Sequence, residues 1–192
     1  MKKELDEKLC KDYPKIFVNR HGDMRSTLMC WGFAIGDGWF NIIDNACFLI
    51  QQHITHSRTQ RANALRFNRV LKRALAGDTK GLIWHHTYGD TVNDYTMKYV
   101  ERDLAEPSFK KVPEACTQVV AVQVKEKFGG LRFYVNGGDD TTDGILRMAE
   151  AMSECSCEDC GTPAKKGGSG WITTLCKPCR TKQEKARYAS AN

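Results

Sequence analysis

Four cysteines near the C-terminus constrain this chain more than any other feature. They form two pairs, Cys157-x2-Cys160 and Cys176-x2-Cys179, with fifteen residues between the pairs. Cysteines two residues apart can direct both sulfurs to one point, and two such pairs supply the four thiolates of a tetrahedral zinc site. A set closed by four sulfurs favours a structural zinc ion, because catalytic zinc usually keeps a position open for water. Ordinary buried or disulfide-bonded cysteines are the alternative interpretation.

The residues around these pairs predict a small metal-binding module. Gly161 permits the tight turn of a zinc knuckle, and residues 171–174, which are aromatic and β-branched, predict a strand. Pro178 suits the first turn of a helix that continues to Arg187. A knuckle, a hairpin and a helix in this order are typical of a treble-clef or zinc-ribbon arrangement, with Zn²⁺ as a structural cofactor.

The size and composition of the chain indicate a globular protein. Its 192 residues suit one ordinary domain with a small appendage, and 41% of them are hydrophobic against 27% charged. No apolar run of about 18 residues is present, and the N-terminus lacks the apolar segment of a signal peptide, so we expect a cytosolic protein. Five further cysteines are interpreted as small buried apolar side chains: Cys10, Cys30, Cys47, Cys116 and Cys155.

Residues 30–40 combine two tryptophans, two phenylalanines and three glycines. Glycines let the backbone pass close to large rings, so we interpret this segment as core packing, with a ligand-binding surface as the alternative. The glycine spacing is not that of a phosphate loop. Asp37 can cap a helix that starts at about Gly38. A short amphipathic helix over residues 3–12 precedes the segment.

Basic residues are concentrated in two places within a chain of formal net charge +6. A predicted helix from Ser57 to Ala76 has apolar residues on one face and basic residues on the other, with no acidic residue between Asp44 and Asp78. From residue 161 onward there are seven basic residues and one acidic residue, offset by about two charges if four thiolates hold Zn²⁺. Surfaces of one sign are candidates for contact with phosphates or an acidic protein, and a solvated face is the alternative. The candidate contact residues are Arg58, Arg61, Arg66, Arg69 and Arg73 on the helix, and Lys165, Lys166, Arg180, Lys182 and Arg187 in the module.

Residues 77–91 predict a loop that contains two adjacent histidines, His85 and His86. With Asp90 they are candidates for acid–base or hydrolytic chemistry. Their spacing is poor for a metal pair, so we favour an aromatic and polar surface loop. Asp90 can also cap the helix that follows.

Two strand-forming segments flank Gly129-Gly130 and predict an antiparallel β-hairpin over about 117–136. Three valines are expected on one face of the first strand: Val120, Val122 and Val124. Three apolar residues alternate with polar ones along the second strand: Leu131, Phe133 and Val135. An amphipathic helix then follows, marked by Ile145, Met148, Ala149 and Met152.

Together these elements predict an α+β fold. The N-terminal part is mostly helical, the hairpin supplies the sheet, and the four-cysteine module follows. We expect a main domain over residues 1–153 and a zinc-binding module with a basic C-terminal helix over residues 154–192. Because the preceding helix runs almost to the first cysteine pair, the two are expected to be tightly coupled.

The sequence also resembles an uncharacterised protein family that is widespread in phages and prophages. The resemblance spans most of the chain and is weakest from Arg58 to Cys116. It is carried by Cys30-Trp31-Gly32-Phe33, Gly36-Asp37-Gly38-Trp39, the segment from Gln123 to Tyr134, Met148-Ala149-Glu150, Cys157-x2-Cys160-Gly161 and Gly170-Trp171-Ile172 to Leu175-Cys176. It implies a virus-encoded accessory protein in the bacterial host cytoplasm and carries over no catalytic residues.

Three functions are compatible with these features. The leading hypothesis is a non-enzymatic binder of nucleic acid, or of an acidic host protein that handles nucleic acid or host defence. The second is a metal-dependent nuclease or hydrolase that uses His85, His86 and Asp90, with His21 and Asp23, although no recognised catalytic spacing supports it. The third is a structural component of a larger assembly.

Overall fold

A computed structural model describes residues 1–87, 91–168 and 170–190. Helices and strands are both present in this part of the chain, which confirms the α+β class. The helices are α1 (Lys3–Asp12), α2 (Phe40–Leu75), α3 (Lys80–His86), α4 (Asp94–Ala105), α5 (Asp140–Ser153) and α6 (Lys177–Ser190). The strands are β1 (Phe33–Ala34), β2 (Val120–Lys127), β3 (Gly130–Asn136), β4 (Lys165–Gly167) and β5 (Thr173–Leu175). None of the described helices is long and apolar enough to cross a membrane.

The chain forms two compact units. Unit 1 combines Met1–Ile54 with the chain from Cys116 onward, and unit 2 is Thr55–Ala115. Unit 1 therefore contains the hairpin and the four cysteines, whereas unit 2 contains α3 and α4.

Unit 1 is built on a three-stranded sheet in the order β1-β2-β3. β1 lies parallel to β2, with Phe33 opposite Val124, and β3 runs antiparallel to β2. Buried side chains from the first half of α2, from α5 and from the sheet form one core. The largest fully buried side chains of this core include Trp39, Ile43, Ile50 and Leu131. Trp39 and Phe33 of the aromatic and glycine-rich segment are buried, as core packing predicts, whereas Trp31 is 70% exposed and lies outside the core.

The prediction that Val120, Val122 and Val124 share one face of the first strand is wrong. A β-bulge interrupts the register, because Ala121 pairs with Val135 and the next pair joins Gln123 to Tyr134. Val122 is the extra residue. An inserted residue reverses which positions face the core, so Ala121 and Val124 are buried while Val120 and Val122 are half-buried.

The hairpin turn is formed by Phe128 and Gly129, one residue earlier than predicted. Both residues have positive φ, 54° at Phe128 and 71° at Gly129. Two positive φ values are those of a type I′ turn, whose twist matches that of paired strands. Gly130 consequently begins β3 and pairs with Lys127.

Helix α5 begins with a capping box in which Asp139 and Thr142 satisfy each other's backbone groups. Its buried face differs in part from the predicted one. Ala149 is buried as expected, but Met148 and Met152 are about half exposed, 51% and 47% respectively. The helix buries the following residues instead: Thr142, Leu146, Ala149 and Ser153.

Helix α2 joins two helical segments that the sequence pattern suggested separately. No glycine or proline occurs between Phe40 and Leu75, so nothing in the local sequence stops the helix. Asp37 does not cap it. Its carboxylate accepts the backbone N–H of Lys2 at 2.7 Å and pairs with the Lys2 ammonium at 3.2 Å.

Unit 2 packs part of α2 with α3 and α4 around a small core of Phe67, Leu71, Leu82 and Val100. The prediction of a loop over 77–91 is wrong for Lys80–His86, which form α3. This helix buries Leu82 in the core, so tertiary packing stabilises a segment too short to be stable alone. Helix α4 is capped by Asn93, whose side chain accepts the Thr96 N–H. Asp90 lies outside the described residues.

Candidate metal centre

The four cysteines of the two pairs converge on one point in unit 1. The sulfur atoms of Cys157, Cys160, Cys176 and Cys179 all lie within 4.8 Å of one another. Cys160 and Cys176 are separated by 3.6 Å between their sulfurs, close to the ~3.8 Å that a tetrahedral site with metal–sulfur bonds of about 2.3 Å requires. All nine cysteines of the chain are free thiols, which excludes the disulfide alternative. The four are thus positioned to bind a metal ion.

Backbone hydrogen bonds shape the knuckle that carries the first pair. The Cys157 N–H donates to the Thr162 carbonyl at 2.7 Å, and the Gly161 N–H donates to the Cys157 carbonyl at 2.8 Å. Gly161 has φ of +76°, a conformation that side chains with a Cβ rarely adopt. The second pair lies at the junction of β5 and α6. There the Arg180 N–H donates to the Cys176 carbonyl at 2.9 Å. The short antiparallel ladder of β4 and β5 lies between the two pairs.

The surroundings lower the pKa of two of the four thiols and raise the pKa of the other two. Hydrogen bonding with the Thr162 hydroxyl and backbone lowers the pKa of Cys160 to about 6, and a backbone hydrogen bond at Cys179 lowers the pKa of Cys176. Burial raises the pKa of Cys157, and its neighbour Cys176 raises that of Cys179. A metal ion would displace the remaining protons, because the thiolate is the form that binds metal.

The knuckle rests on the backbone of Gly36 and Gly38. The Gly38 N–H donates to the Glu158 carbonyl at 2.7 Å, and the Gly36 N–H donates to Glu158 Oε1 at 3.0 Å. A Cβ at Gly38 would lie 2.2 Å from the Cys157 carbonyl oxygen, and one at Gly36 would lie 2.4 Å from the Glu158 carbonyl oxygen. Real contacts are never this short, so the knuckle and this segment approach as closely as glycine allows.

Further contacts join the metal module to the sheet and to the core. The Trp39 indole N–H donates to the Ser156 carbonyl at 2.8 Å. At the hairpin turn, the Thr174 hydroxyl donates to the Gly129 carbonyl, and a Cβ at Gly129 would lie 3.2 Å from Ile172. The four-cysteine cluster is therefore built onto the same elements that form the core of unit 1.

A basic cleft of about 880 Å³ opens beside the cluster. Strands and helix of the module line it with four basic residues and one acidic residue: Lys165, Lys166, Lys177, Arg180 and Glu184. Arg180 is held by the Thr173 carbonyl at 3.3 Å, and Lys166 pairs with Glu154 at 2.7 Å. The predicted residues Lys165, Lys166 and Arg180 thus lie together, whereas Lys182 and Arg187 are exposed farther along α6.

Four of the five arginines on the predicted basic face of α2 are exposed: Arg58, Arg66, Arg69 and Arg73. Arg61 is half-buried and donates to the Pro113 carbonyl at 2.8 Å, and Arg73 pairs with Asp78. Arg61 therefore has a structural contact within unit 2, and the remaining arginines keep the basic character of the face.

The two candidate catalytic histidines lie on α3 in a cleft of about 460 Å³ within unit 2. His86 Nε2 lies 2.8 Å from the carboxylate of Asp103, a residue that sequence reasoning did not select. Burial, and next the neighbouring His86, lower the pKa of His85, which packs against the Phe67 ring. Among the described residues, neither histidine belongs to a group of side chains that could hold a metal ion.

The interpretation of the other five cysteines as buried is correct for Cys47 and Cys116. Cys10 and Cys30 are half-buried, and Cys155 is exposed. Cys155 follows α5 directly, where its thiol donates to the Met152 carbonyl at 3.2 Å rather than packing in the core.

Comparisons of the chain with protein-family models, with curated proteins and with solved structures found no match.

Proposed function

We propose that this chain is a non-enzymatic nucleic-acid-binding protein whose binding surface is held in place by a structural zinc ion. The basic cleft beside the four-cysteine cluster carries this proposal. Lysine and arginine side chains gathered in one concave surface neutralise phosphates and release the counterions bound to a nucleic acid. Within the described residues, no ion pair engages Lys165 or Lys177, so both ammonium groups remain available to a phosphate.

Zinc is the metal that this donor set favours. Four thiolates at tetrahedral spacing suit Zn²⁺ and leave no position for water, which makes a structural role the expected one. β4 and β5 have only three residues each, and a two-stranded ladder of this size is not stable by itself in water. In a treble-clef arrangement the metal would join this ladder to the start of α6 and thereby shape the cleft.

Exposed aromatic residues near the module favour a single-stranded ligand. Phe128 at the hairpin turn is 64% exposed, and Trp171 ahead of β5 is 66% exposed. Unpaired bases stack on such rings, and each stacked base contributes about 1–3 kcal/mol. The exposed arginines of α2 supply a second basic surface for the same kind of ligand.

We infer that this activity belongs to the cytoplasm of a bacterial host, because the sequence resembles a phage and prophage family. An accessory protein there would contact host or viral nucleic acid during infection. An acidic host protein that handles nucleic acid is the other partner that the same basic cleft would accept.

Fluorescence anisotropy with labelled single-stranded and duplex oligonucleotides tests the proposal. The zinc-loaded chain is expected to bind the single strand more tightly, with affinity that falls steeply as salt increases. Changing Lys165 and Lys177 to Gln is expected to weaken binding by about tenfold or more. The slope of log K against log[salt] should become less steep by about two, since two phosphate contacts are lost. A matched control changes two exposed lysines of unit 1 outside the module, Lys11 and Lys15, to Gln and leaves affinity within about twofold.

Other outcomes decide between the remaining hypotheses. Absence of binding even at low salt would exclude nucleic acid and leave the acidic protein partner. Cleavage of the oligonucleotide with added Mg²⁺ or Mn²⁺, lost in His86→Gln, would contradict the non-enzymatic proposal and support the hydrolase hypothesis. A stable oligomer that binds no nucleic acid would support a structural role in an assembly.

A further inference from the structure

A second group of metal-ligating side chains lies in unit 1, apart from the four-cysteine cluster. It consists of His53 on α2, Cys116 at the start of the segment that leads into β2, and Asp139 at the start of α5. One ligand atom from each residue lies within 4.8 Å of the other two. The three residues are far apart in sequence, and none of the spacing patterns typical of metal sites connects them.

The carboxylate of Asp139 is close to both of the other donors. His53 Nε2 lies 2.8 Å from Asp139 Oδ2. The Cys116 sulfur lies within 4.8 Å of both ligand atoms, and its thiol donates to the Thr117 carbonyl at 3.4 Å. In a nucleophilic triad the histidine stands between the cysteine and the carboxylate, so that it can accept the thiol proton. Here the Asp139 carboxylate is the group near both other side chains, and the sulfur, nitrogen and oxygen donors lie within 4.8 Å of one another.

The carboxylate of Asp139 can serve a metal without giving up its structural role. Its Oδ1 accepts the Thr142 N–H at 3.1 Å and caps α5, whereas Oδ2 is the atom that contacts His53. Metal-ligating carboxylates are commonly oriented by such hydrogen bonds from a neighbouring group. The capping bond therefore fixes the side chain with Oδ2 directed at the other two donors.

We propose that His53, Cys116 and Asp139 form a second metal site that binds a divalent transition-metal ion such as Zn²⁺. One thiolate, one imidazole and one carboxylate suit a borderline metal ion and do not suit Mg²⁺ or Ca²⁺, which prefer oxygen ligands only. Binding releases the Cys116 thiol proton to solvent. The proton that His53 Nε2 shares with Asp139 also leaves this nitrogen, by release or by transfer to Nδ1 through solvent, so that Nε2 and the carboxylate can both coordinate the ion.

Three protein ligands leave the fourth tetrahedral position open to water or to a small ligand. This distinguishes the site from the four-cysteine cluster, which is closed by sulfur. The side chains of His53 and Asp139 are 26% and 38% exposed, so water reaches the site, whereas Cys116 is buried at its inner side.

Metal analysis of the intact chain tests the site. The chain is purified in the presence of zinc, passed through a desalting column and analysed by mass spectrometry for bound metal. Two zinc ions per chain are expected for the native sequence and one for His53→Gln and Asp139→Asn. Asn is a good helix cap, so Asp139→Asn keeps α5 capped while it removes the charged ligand.

Cobalt provides an independent readout. After brief chelation empties the open site, added Co²⁺ is expected to produce a single thiolate-to-cobalt absorption band that is absent in Cys116→Ser and that excess Mg²⁺ does not remove. His56→Gln, at an exposed histidine of the same helix, is the matched control and should retain both metal ions and the band. One zinc per chain in the native sequence with no cobalt band, or two zinc ions in all variants, would overturn the proposal.

Discussion

Gly38 shows how closely the metal knuckle approaches the backbone of unit 1. A Cβ at this position would lie within 2.7 Å of three backbone atoms, the Cys157 carbonyl oxygen and the amide nitrogens of Cys160 and Gly161. Backbone atoms cannot turn away as a flexible side chain can, so any larger residue must displace the knuckle. The glycine requirement thus comes from the metal module, and not from the aromatic rings that surround Gly38 in sequence.

We expect Gly38→Ala to destabilise the protein by about 3 kcal/mol, because overpacking against fixed backbone has few ways to relax. The displaced knuckle should also hold its metal less tightly. Urea unfolding and metal retention during dialysis measure the two effects.

Gly144→Ala is the matched control for this substitution. Gly144 lies inside α5, and a Cβ there would meet nothing within 4 Å. Alanine is favoured over glycine in a helix by about 1 kcal/mol, so this variant should be more stable than the native chain. Equal behaviour of the two variants would show that Gly38 does not support the knuckle.

Local sequence patterns predicted those helices and strands whose formation depends mainly on residues close to one another in the chain. Apolar spacing identified α1 and α5, and the valine-rich segment followed by two glycines identified the hairpin. The bulge at Val122 was not predictable in this way, because the valine-rich run is apolar at every position from Val119 to Val122 and so marks no register. α3 was missed because its seven residues are stabilised by the core of unit 2 and not by helix propensity.

Phe128 occupies a turn position that disfavours its side chain. Its φ of 54° costs about 1–2 kcal/mol for a residue with an ordinary Cβ, and among residues with a Cβ Asn tolerates this conformation best. Since the ring is largely exposed, we expect Phe128→Asn to stabilise the protein by about 0.5–1 kcal/mol in thermal or urea unfolding. Phe128→Val, which places a β-branched residue at positive φ, should instead destabilise it. The opposite order would show that the Phe128 ring stabilises the hairpin more than the turn strains it.

At the scale of the whole molecule, the candidate site was predictable to the extent that it lies in short motifs. The spacing of Cys157, Cys160, Cys176 and Cys179 was sufficient to identify four side chains that are positioned to bind a metal ion. Its support by Gly36 and Gly38 was not, because the contacts join residues about 120 positions apart. The second group of ligands was not predictable for the same reason, since His53, Cys116 and Asp139 come together only after α2, the sheet and α5 have packed.

We expect the four-cysteine site, with a metal ion bound, to stabilise unit 1 by holding the C-terminal module on the core. An ion present at about 1,000 times its dissociation constant stabilises the folded chain by about 4 kcal/mol, which corresponds to a change in Tm on the order of 10 °C for a chain of this size. His53→Gln is the suitable background, because the proposed second site then contributes nothing.

Differential scanning calorimetry of this variant, with zinc bound and after complete chelation, is the most direct test, combined with limited proteolysis of both forms. We predict that chelation lowers Tm on the order of 10 °C and exposes the segment from Cys157 onward to cleavage. An unchanged Tm together with an uncleaved C-terminal segment would show that bound metal does not hold the module on the core.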